Sequence, residues 1–249
     1  MTIDGMPRRA ERARTTLAAA PVLSVGLDGR ASEDVAVHAV DADGSLVLLV
    51  PADGMLGTRV ACGSALATVH AARLLPVVVP DRVIDRVTAH GRLGIAADVE
   101  AALDVLINTD PAQSPQVVLR EDASALLRLD VVKVRLDGDR VDRQAYGAAA
   151  ADPIALGSDA AIGPLLQCHA GEMLELAHLL DPELLDGARS VAPVLVDRWG
   201  VTFQVERPIH TERARLDFPT ALRGPAELPF AMQGLQVRAA RAAAAAHRD

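Results

Sequence analysis

His169 stands in the setting best suited to ligand chemistry in this 249-residue chain. Ile162, Leu165, Leu166, His169, Met173, Leu176, Ala177 and Leu180 recur at i, i+3, i+4 spacing and form one apolar helical stripe. A histidine in the middle of such a stripe is either a core residue hydrogen-bonded to a neighbour or a ligand facing a pocket. Cys168 precedes it, but adjacent helical residues point about 100° apart, which is wrong for a nucleophile–base pair. His178 falls on the opposite face, so the two histidines cannot chelate one metal from a straight helix. Glu175, one turn before His178, is placed to pair with it at the surface.

Three weaker sets accompany it. Gly54-Met55-Leu56-Gly57-Thr58-Arg59 has a glycine break leading into a short helix. Thr58, Arg59 and backbone amides there could seat a phosphate, although the Gly-Lys-Ser/Thr element of a P-loop is missing. Lys133 is the single lysine among 25 basic residues, and the only candidate for a Schiff base. It sits in a strand-like run, Val131 to Leu136, on the face opposite Val132, Val134 and Leu136. Glu33, Asp34 and Asp217 offer carboxylates, but the sequence pairs them with nothing.

Composition narrows the field. The net charge is −8 and the basic residues are scattered, with aromatics at only 2% to stack on bases, so nucleic acid is an unsuitable partner. The chain contains no apolar run long enough for a transmembrane helix, and no membrane partner is expected. Cys62 and Cys168 are far apart and form no CxxC pair, which excludes a cysteine-rich zinc site and a disulfide framework. A reducing, cytoplasmic setting follows. The mildly signal-like stretch up to Leu27 is divided by Pro21 and reads better as a helix followed by a first strand.

The elements that must hold these residues fall into two sets. Pro7–Ala20 predicts a helix with an arginine-rich outer face. Strands follow at Val22–Leu27, Val35–Val40 and Ser45–Val50, separated by turns at Asp28-Gly29 and Asp43-Gly44. Met55–Cys62 predicts a short helix, Leu74–Val79 and Val83–Ile95 strands, and Ala97–Ile107 a helix. Val117–Leu119 and Ala125–Leu136 complete a meander ending at Asp137-Gly138, which suggests a small barrel. Asp142–Ser158, rich in Ala, Asp and Gly, reads as a linker. Beyond it come a helix over Leu165–Leu180, three short alternating strands between Arg189 and Leu222, and a helix from Pro225 to Ala245. Trp199, Phe203 and Phe218 lie within the strand segment and Phe230 just beyond it; Tyr146 is the fifth aromatic. Val194, Val196, Phe203 and Val205, with Leu216 and Phe218, are the expected inward residues.

These features resemble a known domain pair. An arginine-rich first helix, Leu23-Ser24-Val25 in a strand, and Asp41-Ala42-Asp43-Gly44-Ser45-Leu46 entering an apolar strand are similar to the flavin-binding split barrel of the pyridoxamine-phosphate-oxidase type. Cys168-His169, the turn Asp197-Arg198-Trp199-Gly200, Phe218-Pro219 and a last helix from Glu227 resemble the domain of unknown function that follows such a barrel in HugZ-type haem-utilisation proteins. The resemblance implies an α+β chain: a split β-barrel of FMN-binding type over residues 1–145 and an α-β-β-β-α domain over 158–245. It implies a non-catalytic haem- or tetrapyrrole-related binding protein of iron homeostasis, with His169 as the axial metal ligand. The alternatives are an oxidoreductase using FMN or a deazaflavin, or a haem-degrading enzyme, with Thr58 and Arg59 on a cofactor phosphate; a third is a dimeric scaffold that has lost its ligand. Split barrels of this type dimerise through barrel faces, which implies a homodimer. The chain departs from the family run His-Met-Asn-x-Asp-His, having His169-Ala170-Gly171-Glu172-Met173-Leu174, and residues 1–145 hold no aromatic to stack on a flavin or porphyrin.

Overall fold

The computed structural model describes residues 9–27, 31–77, 79, 81–109, 124–158, 160–163 and 170–246. They form two compact units, one made of Arg8–Leu74 with Val83–Ala151 and the other containing Leu75–Arg82 with Asp152–Asp249.

The first unit is built on strands β1 (Leu23–Leu27), β2 (Ser32–Val35), β3 (Val37–Val40), β4 (Leu46–Pro51), β5 (Ala65–Leu74), β6 (Val83–Ile95), β7 (Ser124–Leu136) and β8 (Asp139–Val141). All pair antiparallel in the order β2-β1-β5-β6-β7-β4-β3, with β8 on β7. β2 and β3 are two halves of one extended segment. It changes neighbours at Ala36, pairing with β1 before that residue and with β4 after it, so both ends of the sheet belong to the same stretch of chain and the sheet closes.

Period-2 alternation fills the inside. Leu23, Val25 and Leu27, then Ala65, Ala67, Val69 and Ala71, then Val87, Ala89 and Leu93, and Leu127 and Leu129 all enter one core. Helix α1 (Arg9–Ala19) adds Ala13 and Leu17, and α2 (Met55–Ala61) adds Leu56 and Val60. A smaller cluster lies where Val37, Ala39, Val47 and Leu49 meet Ala102 and Leu106 of α3 (Val99–Thr109).

Four expectations are corrected here. The strand expected at Leu74–Val79 is instead β5, which ends at Leu74; the Leu75 amide still donates to the Arg82 carbonyl, and residues 75–77 and 79 are not strand. The expected linker contains two helices, α4 (Arg143–Ala148) and α5 (Pro153–Leu156), capped by Asp142 and Asp152. Tyr146 of α4 is buried and its hydroxyl donates to the Gly44 carbonyl at 2.9 Å. The arginine face of α1 is not uniformly outward: Arg14 is buried, stacks on Tyr146 at 5.4 Å and donates to the Ala42 carbonyl. Finally, Val132 does not share the inward face of Val134 and Leu136. A register shift between His90 and Gly91 leaves it as an exposed bulge residue between Val131 and Lys133. The segments Asp28-Gly29 and Val117–Leu119 lie outside the described residues.

The second unit has a three-stranded antiparallel sheet, order β11-β10-β9, from β9 (Ser190–Asp197), β10 (Gly200–Glu206) and β11 (Thr211–Asp217). With it are α5, α6 (Ala170–Ala177), α7 (Pro182–Leu185) and α8 (Leu228–Ala246). Val196, Phe203, Val205, Leu216 and Phe218 pack with Ile162, Met173, Leu176, Ala177 and Leu180 in one core, as the stripe predicts. Phe230 departs from that pattern and is 75% exposed. The β9–β10 turn is fixed by Asp197, whose Oδ1 accepts from the amides of Trp199 and Gly200 while Arg215 grips the same carboxylate. The described residues are therefore α+β, a curled antiparallel barrel sheet and a small mixed unit.

Candidate functional site

The expected site residues have separate positions. His169, with Cys168, Leu165 and Leu166, lies outside the described residues. Thr58 and Arg59 lie in α2 and are exposed. The start of α2 already holds a carboxylate: Glu33 of β2 accepts the Leu56 amide at 2.9 Å, and a side chain at Gly54 would meet the same carboxylate. Among the described residues no group of three His, Cys, Asp or Glu side chains could hold a metal ion. Glu175 and His178 share a backbone hydrogen bond rather than the expected side-chain pair.

What the fold brings together is on the outer face of the barrel. Alternation sends Thr68 and His70 of β5, and Thr88 and His90 of β6, away from the core. The antiparallel register sets Thr68 opposite His90 and His70 opposite Thr88. Each pair shares a hydrogen bond: Thr68 Oγ1 to His90 Nδ1 at 3.0 Å, and Thr88 Oγ1 to His70 Nδ1 at 3.2 Å. The two rings are thereby held through Nδ1, and Nε2 of each is directed by that restraint to the remaining side of the ring. Cross-strand neighbours extend both rows. One runs Asp34, Ser24, His70, Thr88, Arg135, and the other Ser32, Gly26, Thr68, His90, Lys133, across β2, β1, β5, β6 and β7.

A cleft of about 360 Å³ lies along the first row, lined by Val22, Ser24, Asp34, His70, Ala72, Arg86 and Thr88 among others. It is of the size of small-ligand sites, at the lower end. Val22 and Ala72 give it apolar wall, while His70, Arg86 and Asp34 give it three polar groups. Burial first, then the charges of Lys133, His70 and Arg135, hold the His90 imidazole below the ordinary histidine range. The sequence alone does not mark His70 and His90 as site residues, because a lone strand histidine signals little. Their signal was a repeat, Thr-Val-His at 68–70 and Thr-Ala-His at 88–90, which antiparallel pairing converts into two reciprocal contacts.

By contrast, the acidic β3–β4 turn is structural. Asp43 Oδ1 accepts from the Ser45 amide and hydroxyl, and Arg128 joins Asp41 at 2.7 Å to Asp43 at 2.8 Å. Burial raises the Asp43 carboxyl, and the hydrogen bonds from Ser45 and the charge of Arg128 outweigh it to leave the group below its usual value.

The protein has a split-barrel fold, followed by a small α+β unit. A heme binding protein from Mycobacterium smegmatis shares that fold over 95% of this chain and 99% of its own, with 23% identity and a TM-score of 0.64. A protein of unknown function from Agrobacterium tumefaciens aligns over 93% of this chain and 97% of its own, at 17% identity and a TM-score of 0.47. A FAD and heme binding protein from Mycobacterium smegmatis aligns over 58% of this chain and 80% of its own, at 19% identity and a TM-score of 0.40. No family model matches the sequence, and no curated protein matches it.

Proposed function

We propose that this protein binds haem or a related tetrapyrrole without transforming it, as a HugZ-type protein of iron homeostasis. The observation that carries the reading is a fold shared across nearly the full length of both chains with a protein described as heme binding. The barrel's outer cleft fits such a ligand in kind. Val22 and Ala72 offer apolar contact, the His70 ring is oriented by Thr88, and the Arg86 guanidinium forms no ion pair among the described residues, so it is suited to a ligand carboxylate. Haem would supply an iron with an axial position for an imidazole nitrogen. His169 is the ligand that the family resemblance implies, and His70 is the one the barrel offers. A flavin is the weaker reading, because a phosphate near Thr58 and Arg59 would compete with Glu33 for the Leu56 amide.

Titration of the purified chain with haemin, FMN and a deazaflavin, followed by absorbance, tests this. A Soret shift is expected with haemin, lost in His169→Ala if His169 is the ligand and in His70→Ala if the cleft histidine is. No Soret shift overturns the haem reading, and a flavin spectrum that survives gel filtration replaces it with an oxidoreductase. We extend the proposal to a homodimer, which light scattering showing a clean monomer would contradict.

A further inference from the structure

A block of positive charge occupies the outer face of an acidic protein. The chain carries −8 overall, yet β6 and β7 display Arg86, His90, Arg92, Lys133 and Arg135 on one face, beside His70 of β5. Among the described residues Arg86, Arg92, Lys133 and Arg135 form no ion pair; Arg92 donates to the Ser64 hydroxyl and Arg135 to the Gly138 carbonyl. The acidic groups bordering this block are Asp34 at its β2 end, Asp130 opposite Arg92 and within 3.5 Å of Arg128, and Asp137, whose carboxylate accepts the Arg86 amide. Between them nothing anionic balances the centre, where His90 faces Lys133 and Thr88 faces Arg135.

We propose that His90, Lys133 and Arg135, with the Thr68 and Thr88 hydroxyls, bind a phosphate dianion, free or as the head group of a small monoester. Directly opposed side chains start about 5 Å apart and alternate residues of one strand about 7 Å apart, so the long Lys133 and Arg135 side chains can reach a small anion seated beside His90 and the two hydroxyls, Arg135 exchanging its contact with the Gly138 carbonyl for it. Three cationic or protonatable groups and two hydroxyls match a dianion better than a planar monocarboxylate. The described part of the face has no aromatic ring on which a base could stack, which favours a small ligand over a nucleic acid strand. The site is separate from Thr58 and Arg59 and does not depend on haem binding.

His90 makes binding depend on pH. His90 is faced by Thr68 and His70 from β5, by Lys133 and Arg135 from β7, and by Thr88 and Arg92 along β6; His70 is faced by Ser24 and Asp34 from β1 and β2 and by Arg86 and Thr88 from β6. A bound dianion offsets the cations that disfavour His90 protonation, so binding takes up a proton and tightens as pH falls. The test is a backbone-amide NMR titration of the full chain at constant ionic strength with sulfate, inorganic phosphate, phenyl phosphate and acetate. Sulfate keeps its charge over the pH range. The expected result is saturable shifts at Thr68, His90 and Lys133, with sulfate affinity rising about tenfold between pH 7.5 and 5.5. Lys133→Met and Arg135→Met should each weaken it about fivefold or more, and His90→Asn should flatten the pH dependence while the fold is kept. Tighter binding of phenyl phosphate than of inorganic phosphate assigns the site to a monoester, and the reverse to the free ion. Acetate binding as well as sulfate, or shifts that never saturate, overturns the proposal.

Discussion

The inner and outer faces of β5 and β6 are made from the same two strands and obey opposite rules. Inside are Ala65, Ala67, Val69 and Ala71 against Val87, Ala89 and Leu93, all buried and small enough for the barrel to close around α1. Outside are Leu66, Thr68, His70 and Ala72 against Arg86, Thr88, His90 and Arg92. The inner set is constrained by volume, because a closed barrel has little room to relax. The outer set is constrained by nothing the fold requires, since a threonine paired with a histidine on a surface contributes little stability. Side chains that a fold does not need are the ones whose arrangement asks for another explanation.

That contrast can be broken most forcefully from inside. Leu129→Ala removes a fully buried side chain from the barrel core and should cost about 2–5 kcal/mol, read as a lower urea midpoint. Tyr146→Phe comes next. It leaves the Gly44 carbonyl without its buried donor and should cost about 1–2 kcal/mol in the same measurement. Burial pushes the Tyr146 hydroxyl up to about 12, so it remains a donor across the neutral range. The smallest effect is expected outside. The His90 imidazole titrates below its unfolded value, so the unfolded chain binds more protons beneath about pH 6.5. Its share of stability is complete above that pH and is lost as pH falls toward the folded value. His90→Asn should therefore leave the melting temperature unchanged at pH 8 and make it less sensitive to acid near pH 5.5. An equal loss at both pH values would mean that the outer face is structural after all.

Much of this architecture was readable from alternation. Val83–Ile95 appears as one strand with the expected ends, and the stripe residues Met173, Leu176 and Leu180 are all buried, although the helix ends at Ala177 and Leu180 follows it in a turn. The misses share a cause. β5 is half alanine and arginine, and alanine marks neither a pleated surface nor a turn, so Thr68 and Val69 are all the β-branched signature a strand of ten residues left. Tyr146 was hidden in an Ala- and Asp-rich stretch whose helices are set by Asp142 and Asp152, caps that resemble turn residues in a linear reading. The outer site was illegible for a different reason. Thr68 and His90 are neighbours only once a register is chosen, and register depends on the whole barrel.

The change of partners at Ala36 gives the barrel a single clasp. Because residues 32–35 hold β1 and residues 37–40 hold β4, peeling that segment away would uncover the free edges of both strands together. Amide exchange along β1 and β4 should then report one shared opening event, although three strands separate them in the strand order. A cut or an insertion at Ala36 would turn a closed wall into an open ribbon with two edges ready to pair with another chain.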